Sequence, residues 1–254
     1  MEPQPSQIAT SDGDSVGALL YLAAKKNRAG ITVILGHGAG ANQLHPFMRL
    51  FASGLAERGF DVLTFNFQYM EEGRRVPDPK AKLESCYRAV IEAARANKKL
   101  QGNRLVIGGK SMGGRIASQV AATLDCGGST PRADAATNSS RKSEPRVAPS
   151  AGDIAGLVFL GYPLHPPGRP DKLRDAHLPQ ITAPMLFVQG SRDAFGSPDE
   201  LRATIKKHHL PATLHIVEGG DHSLKVAKSS GIPQDEVYDS TRDAISAWIL
   251  KLAR

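Results

Sequence analysis

The stretch RLVIGGKSMGGRIASQVAA, residues 104–122, decides how the rest of the chain is interpreted. Its first half is an apolar run that predicts a strand, and its second half has the apolar spacing of a helix. Between them, IGGKSMGG contains two motifs. GKS ends the phosphate-binding P-loop, and GxSxG is the turn that holds a nucleophilic serine in many hydrolases. Both motifs connect a strand to a helix, so secondary structure alone does not choose between them.

Two phosphate-binding interpretations fail on spacing. A P-loop requires a glycine five residues before Gly109, and that position is Arg104. A second glycine run, LGHGAGAN, matches the GxGxxA pattern of dinucleotide-binding proteins. That pattern also needs an acidic residue at the carboxyl end of the next strand, where this chain has Asn66 and Gln68, whereas Asp61 lies at the opposite end. We therefore expect no cofactor.

Apolar runs alternate with helical patterns along the chain. Continuous apolar strands separated by amphipathic helices predict an α/β fold, with a mostly parallel twisted sheet covered by helices on both faces. Strands are predicted at 16–24, 31–37, 60–67, 103–109, 154–163, 183–190 and 212–219. Helices are predicted at 45–59, 79–99, 112–124, 198–209 and 235–254.

One segment departs from this alternation. Residues 125–153, DCGGSTPRADAATNSSRKSEPRVAPSAGD, are rich in small and polar residues and have almost nothing to bury. We expect a flexible low-complexity insertion within a single domain that covers residues 1–254. The insertion joins a helix to a strand, so it should lie at the edge opposite the carboxyl ends of the strands, away from a site.

Composition and charge exclude several classes of protein. No run of about 18 apolar residues is present, and the N-terminus lacks the pattern of a secretory signal, so we expect a cytoplasmic protein without membrane partners. The net charge is +7, but the basic residues are dispersed and not interleaved with aromatic ones, so no nucleic-acid partner is expected. Cys86 and Cys126 have no disulfide or metal spacing, and no metal site is expected.

Residues elsewhere support the GxSxG interpretation. A serine hydroxyl needs a base to take its proton, and the base must be oriented by a third group. The strand APMLFVQG leads to Asp193, and the strand ATLHIVEG leads to His222. Both follow the carboxyl ends of strands, where the order serine, acid, base requires them. The pattern predicts Ser111, Asp193 and His222 as catalytic residues; Asp199 and Asp221 are less well placed for the acid.

The developing negative charge on a substrate carbonyl oxygen needs two donors. The backbone amide of Met112 follows the serine at the start of a helix, where the helix dipole adds to its effect. The first parallel strand ends in HGAG, so the amide of Ala39 is the expected second donor. His37 is expected to hold this loop in shape.

HGAG, GKSMGG, the strand-end Asp193 and GGDHS resemble the α/β-hydrolase superfamily across nearly the whole chain. GGKSMGGRIAS and LGYPLHPPG are similar to the testis-expressed and NSL-complex-subunit branch, which is related to dienelactone hydrolase. Dienelactone hydrolases use a cysteine where this chain has Ser111, so the resemblance does not extend to that activity. Because the branch includes parts of protein assemblies, it also implies an alternative function as a non-catalytic interaction module.

The predicted pocket is open. About 23 residues separate Gly161 from Met185, too few for a helical cap domain. Residues 164–181, LHPPGRPDKLRDAHLPQI, should form the rim, and Tyr162 and His165 are the expected substrate-binding residues. The sequence thus predicts a carboxylesterase or thioesterase that acts on small to medium acyl substrates through an acyl-enzyme. It leaves the choice among ester, thioester and peptide open, as well as the oligomeric state.

Overall fold

A computed structural model describes residues 2–11, 13–126 and 154–252. Strands alternate with helices, as predicted. The strands are β1 (Gln4–Ala9), β2 (Ser15–Tyr21), β3 (Ile31–Gly36), β4 (Asp61–Phe65), β5 (Arg104–Lys110), β6 (Ile154–Leu160), β7 (Met185–Gly190) and β8 (Ala212–Val217). The helices are α1 (Pro46–Glu57), α2 (Gln68–Glu71), α3 (Lys80–Ala96), α4 (Met112–Cys126), α5 (Pro198–Lys207) and α6 (Gln234–Leu252).

The eight strands form one sheet in the order β1-β2-β4-β3-β5-β6-β7-β8. β3 to β8 are parallel, and β1 and β2 extend the sheet in antiparallel pairing. The predicted mostly parallel sheet is confirmed. Since the parallel strands point the same way, the loops after β3, β5, β7 and β8 converge at one edge of the sheet.

Helices cover both faces of this sheet. β3 and β5 are buried on both sides because their residues alternate between two cores: Ile34 and Ile107 face one core, and Val33 and Val106 face the other. α3, α4 and α5 contribute to the first core, whereas α1 and α6 contribute to the second. The continuous apolar pattern of the central strands follows from this double coverage.

Two elements were not predicted. β1 is an edge strand in which only Ile8 is buried, so its residues QPSQIA show no apolar period. α2 is a single helical turn after β4, too short to produce a helical pattern. Both lie beside the predicted core and leave its arrangement unchanged.

The predicted insertion lies almost entirely outside the described residues. α4 continues to Cys126, so the helix ends two residues later than the sequence analysis placed it. Residues 161–184, between β6 and β7, contain a single 3-10 turn, Leu178–Gln180, and no helical cap. Among the described residues, no helix is both long and apolar enough to cross a membrane.

A buried carboxylate organises the amino-terminal edge of the sheet. Asp61, at the start of β4, is fully buried and accepts hydrogen bonds from the Ala23 amide at 3.0 Å and from Asn103 Nδ2 at 2.7 Å. Arg28 forms an ion pair with it at 2.6 Å. A buried charge needs such partners, so Asp61 is structural. Asp61 lies at the amino end of β4, whereas the loop after β3 follows a carboxyl end. This is the position that argued against dinucleotide binding in the sequence.

Candidate active site

Ser111 occupies the sharp turn between β5 and α4. Its φ is 50°, a left-handed conformation that is strained by about 1–3 kcal/mol for a residue with a side chain. The Ser111 amide donates to the Leu160 carbonyl of the neighbouring strand at 3.0 Å, which holds the turn in place. The strained strand-to-helix turn predicted from GxSxG is therefore present.

Glycines allow this turn to pack against the end of β3. A Cβ on Gly113 would lie 2.2 Å from the Gly36 carbonyl oxygen, and a Cβ on Gly109 would lie 2.2 Å from the same atom. Gly109 also has a φ of 151°, which side chains rarely allow. The close approach brings the loop after β3 next to Ser111.

We expect Gly113→Ala to lower the free energy of unfolding by at least about 3 kcal/mol, because the added methyl group would overlap backbone atoms of β3 that cannot move aside alone. Urea denaturation measures this loss. Gly102→Ala is the control, since its Cβ would meet open space and only its left-handed backbone, with a φ of 83°, costs about 1–2 kcal/mol. Equal losses in the two variants would contradict the packing argument.

Three side chains form a continuous chain of hydrogen bonds. His222 Nε2 lies 2.8 Å from Ser111 Oγ, and His222 Nδ1 lies 2.8 Å from Asp193 Oδ2 and 3.0 Å from Oδ1. The side chain of Asp193 is fully buried, while that of His222 is 21% exposed. Because the carboxylate accepts the Nδ1 proton, Nε2 is left to accept the proton of the serine hydroxyl. The structure thus brings the three predicted catalytic residues together.

Two further groups fix the Asp193 carboxylate. Gln189 Nε2 donates to Oδ2 at 2.7 Å, and the Phe195 amide donates to Oδ1 at 2.8 Å. Gln189 also accepts from the Tyr162 amide at 2.8 Å, so it ties the ends of β6 and β7 together. The Phe195 ring stacks on the His222 ring with centroids 4.1 Å apart. Gln189 was not among the predicted site residues; its signal in the sequence is a lone polar side chain near the end of the apolar strand MLFVQG.

The loop after β3 carries Ala39, whose amide is the second predicted oxyanion donor. Ala39 and Met112 line the same cavity as Ser111. Met112 is the first residue of α4, so its amide has no acceptor within the helix. His37 is fully buried, with Nδ1 donating to the Gly38 carbonyl at 2.8 Å and Nε2 accepting from the Phe67 amide at 3.1 Å. Burial lowers the pKa of His37 to about 4, so a neutral ring holds the loop.

Lys110, the variable residue of GxSxG, is buried beside the site. Its Nζ donates to the His222 carbonyl at 2.5 Å and lies 5.8 Å from the centroid of the Phe47 ring. Burial lowers the pKa of Lys110 to about 8, against the opposing attraction of Asp193 and Asp221. Lys110 therefore joins the serine turn to the loop that carries His222, a role that the motif alone did not suggest.

We expect wild type to gain stability over Lys110→Met as the pH rises from about 8 to 10.5. In this range folded Lys110 loses its proton while the unfolded chain keeps it, so the unfolded state binds more protons and the free energy of unfolding increases with pH. The gain should approach about 3 kcal/mol. Urea denaturation at pH 7, 9 and 10.5 measures it in both proteins, and parallel pH curves would contradict the assignment.

Ser111 and His222 line a cavity of about 600 Å³. One part of its wall is apolar and is formed by Phe47, Met48, Leu83 and Phe195. Another part carries the cationic side chains Lys80, Lys110, Arg115 and Arg174. Arg174 belongs to the segment that the sequence analysis expected to form the rim. The cavity therefore combines an apolar surface with positive charge next to a serine hydroxyl.

Tyr162 and His165, the predicted substrate-binding residues, do not line this cavity. Tyr162 is fully buried against Phe187, with ring centroids 5.4 Å apart, and its hydroxyl donates to the Arg174 carbonyl at 3.1 Å. His165 is 5% exposed and lies 3.2 Å from a Glu200 oxygen. The chain turns inward after β6, which sends both rings into the protein, and a loop sequence does not reveal that turn.

Within the described ranges, no group of three or more His, Cys, Asp or Glu side chains is placed to hold a metal ion. The groups that the structure brings together at the site are a serine hydroxyl, an imidazole and a buried carboxylate.

Comparison with known proteins gives a consistent result. Residues 29–250 match the family described as alpha/beta hydrolase domain. A lidless α/β serine hydrolase from Xanthomonas campestris superimposes with a TM-score of 0.68 at 16% identity, over 99% of this chain and 95% of that one. Dienelactone hydrolase from Anabaena variabilis gives 0.68 at 19% identity over 99% of both chains. Est1E from Butyrivibrio proteoclasticus, with ferulic acid bound, gives 0.69 at 16% identity over 97% and 98%. These similarities confirm the predicted fold class.

Proposed function

Because the chain belongs to the alpha/beta hydrolase domain family, we propose that it is a serine hydrolase that cleaves carboxylic esters or thioesters of small to medium size. The observation that carries this proposal is the chain of hydrogen bonds from Ser111 through His222 to Asp193, which opens into the cavity. A serine hydroxyl needs this combination of base and orienting acid to act as a nucleophile at neutral pH.

In the first step, Ser111 Oγ attacks the carbonyl carbon of the substrate while His222 Nε2 takes its proton. Asp193 stays ionised and stabilises the imidazolium that forms. The former carbonyl oxygen becomes an oxyanion and accepts hydrogen bonds from the amides of Ala39 and Met112. The C–O or C–S bond then breaks, His222 gives its proton to the leaving alcohol or thiol, and the acyl group stays on Ser111.

In the second step, water releases the acyl group. His222 takes a proton from the attacking water as its oxygen bonds to the acyl carbon, and the same two amides hold the second oxyanion. The bond to Ser111 Oγ then breaks, and His222 returns the proton to that oxygen. The balance is one ester and one water converted to one carboxylic acid and one alcohol, or one thioester and one water converted to one carboxylic acid and one thiol.

The fold and the volume of the pocket support an acyl substrate of small to medium size. The cavity of about 600 Å³ lies within the range of small-molecule sites, and no helical cap lies between β6 and β7 to bury a long chain. Apolar side chains, including those of Phe47 and Phe195, line the cavity with Ser111 and would contact a hydrocarbon portion of the substrate.

The alternative function, a non-catalytic interaction module, has less support. The chain combines a strained backbone at Ser111, a buried and hydrogen-bonded Asp193, and a loop after β3 that is held by His37. Backbone strain persists where function requires it, and a protein without catalysis has no need for this combination. The resemblance of GGKSMGGRIAS and LGYPLHPPG to the testis-expressed and NSL-complex-subunit branch stays a prediction.

Steady-state assays with 4-nitrophenyl butyrate and S-phenyl thiobutyrate test this function. We expect saturable hydrolysis of at least one of them by wild type. If neither is cleaved, and a partner protein co-purifies equally well with wild type and with Ser111→Ala, the interaction module replaces the enzyme.

A further inference from the structure

Of the four cationic side chains that line the cavity, the two lysines have partners and the two arginines have none among the described residues. Lys110 is engaged with the His222 carbonyl, and Lys80 lies 3.5 Å from a Glu84 oxygen. In contrast, the guanidinium groups of Arg115 and Arg174 make no hydrogen bond or ion pair with any residue that the structure describes. These two arginines therefore face the cavity with unused donors.

The need for a partner is better supported for Arg115 than for Arg174, because Arg115 has a buried donor. Its Nε is inaccessible to solvent and has no partner within the described part of the chain, which is costly for a charged donor. Burial, and next the nearby Arg174 guanidinium, lower the pKa of Arg115. The Glu84 carboxylate attracts it from a distance but is nearer to Lys80 and Arg88, at 3.5 and 3.9 Å. Two cations held together in this way lack a counter-charge.

Several other arginines of the chain have the carboxylate partner that Arg115 and Arg174 lack. Arg28, Arg58, Arg74 and Arg242 each lie within 2.9 Å of a carboxylate oxygen. Arg115 and Arg174, the two described arginines that line the cavity, have no such carboxylate, and a ligand could supply the absent anion.

Backbone hydrogen bonds hold the main chain of both arginines. Arg115 lies one helical turn after the serine, and its amide donates to the Ser111 carbonyl at 3.0 Å. Arg174 is held on the rim loop, because its amide donates to the Leu164 carbonyl at 2.8 Å and its carbonyl accepts from the Tyr162 hydroxyl at 3.1 Å. Both arginines are therefore anchored through their main-chain groups.

We propose that Arg115 and Arg174 form a carboxylate-binding subsite and that the substrate is an ester or thioester carrying a free carboxylate. This inference rests on the proposed hydrolase function. The planar fork of a guanidinium matches a carboxylate with two parallel hydrogen bonds. The carboxylate would supply the missing counter-charge while the apolar wall holds the connecting carbons and the ester carbonyl meets Ser111.

Matched ester pairs test the subsite. For a carboxylate on the acyl part the pair is mono-4-nitrophenyl glutarate and 4-nitrophenyl pentanoate. For a carboxylate on the alcohol part it is the butyryl ester of 4-hydroxybenzoate and that of 4-methylphenol. We expect kcat/KM to favour the anionic member of at least one pair by about 10–100-fold, which is the strength of hydrogen bonds to charged groups. The preference should appear mainly in KM and weaken in 0.5 M NaCl.

Substitutions locate the preference. Arg115→Met and Arg174→Met should each lower the anionic-to-neutral ratio at least tenfold, and the corresponding lysine variants should retain part of it because they keep the charge. Arg202→Met is the matched control, since this arginine lies on α5, pairs with Asp199 at 2.6 Å and is outside the cavity. Its ratio should equal that of wild type. If Arg115→Met does not fold, Arg174→Met on the rim loop decides.

A binding measurement separates this inference from the proposed function. Glutarate should raise the Tm of Ser111→Ala, and Arg174→Met introduced into that variant should abolish the shift. Hydrolysis without anionic preference, together with no glutarate shift, would overturn the subsite and leave the hydrolase intact. A glutarate shift without hydrolysis of any ester would support the subsite and overturn the hydrolase.

Discussion

Ser111→Ala is expected to lower kcat for 4-nitrophenyl butyrate by about 10⁴–10⁶-fold, the loss that accompanies removal of the nucleophile from a triad. The variant keeps a Cβ at the same position, so the turn between β5 and α4 should keep its geometry and its strain. The free energy of unfolding should therefore change by less than about 1 kcal/mol.

Ser240→Ala is the control for this substitution. Ser240 lies on α6, where its hydroxyl donates to the Val237 carbonyl at 3.0 Å, and it does not line the cavity. Its kcat should match that of wild type. A Ser111→Ala protein that is folded and retains more than about 1% of wild-type kcat would show that another group performs the attack.

The second large effect is expected from Asp193→Asn, with a drop in kcat of about 10⁴-fold. Both oxygens of Asp193 accept hydrogen bonds, one from the Phe195 amide and one from Gln189 Nε2. An asparagine must place its NH₂ group against one of these donors, and in either orientation that group also lies at a position 2.8 or 3.0 Å from His222 Nδ1. The imidazole would lose its fixed tautomer, and stability should fall by about 1–3 kcal/mol.

Asp221→Asn is the informative control, because the sequence alone left Asp221 as an alternative acid. In the structure its Oδ1 accepts from the amides of Ser223 at 2.7 Å and Lys225 at 2.9 Å, so it shapes the loop after β8 and does not reach the imidazole. We expect its kcat to fall less than tenfold. A larger loss in Asp221→Asn than in Asp193→Asn would reverse the assignment of the acid.

Much of the fold was predictable because buried parallel strands leave a strong signal. β3, β5, β6 and β7 are buried on both faces, so each reads as a continuous apolar run that ends at a glycine or a polar residue. β1 has no such signal, since it is paired on one side only and mostly exposed. The order of strands in the sheet follows from pairing between distant segments, which a single sequence does not display.

The positions of Ser111, Asp193 and His222 could be inferred because each follows the carboxyl end of a predicted strand, and parallel strands bring those ends together. The supporting side chains Gln189 and Lys110 could not be inferred, since their partners are brought to them only by the folded loops. The burial of Tyr162 and His165 away from the cavity could not be inferred for the same reason, since it depends on the folded loop after β6.

Labelling with a fluorophosphonate probe, followed by peptide mass spectrometry, reports whether Ser111 is an activated nucleophile. The probe bonds covalently to a serine only where that serine is activated as a nucleophile. We predict one adduct per wild-type chain, on Ser111, with no labelling of folded Ser111→Ala and strongly slowed labelling of Asp193→Asn. Wild-type protein that stays unlabelled, or that carries the adduct on a residue other than Ser111, would contradict the account.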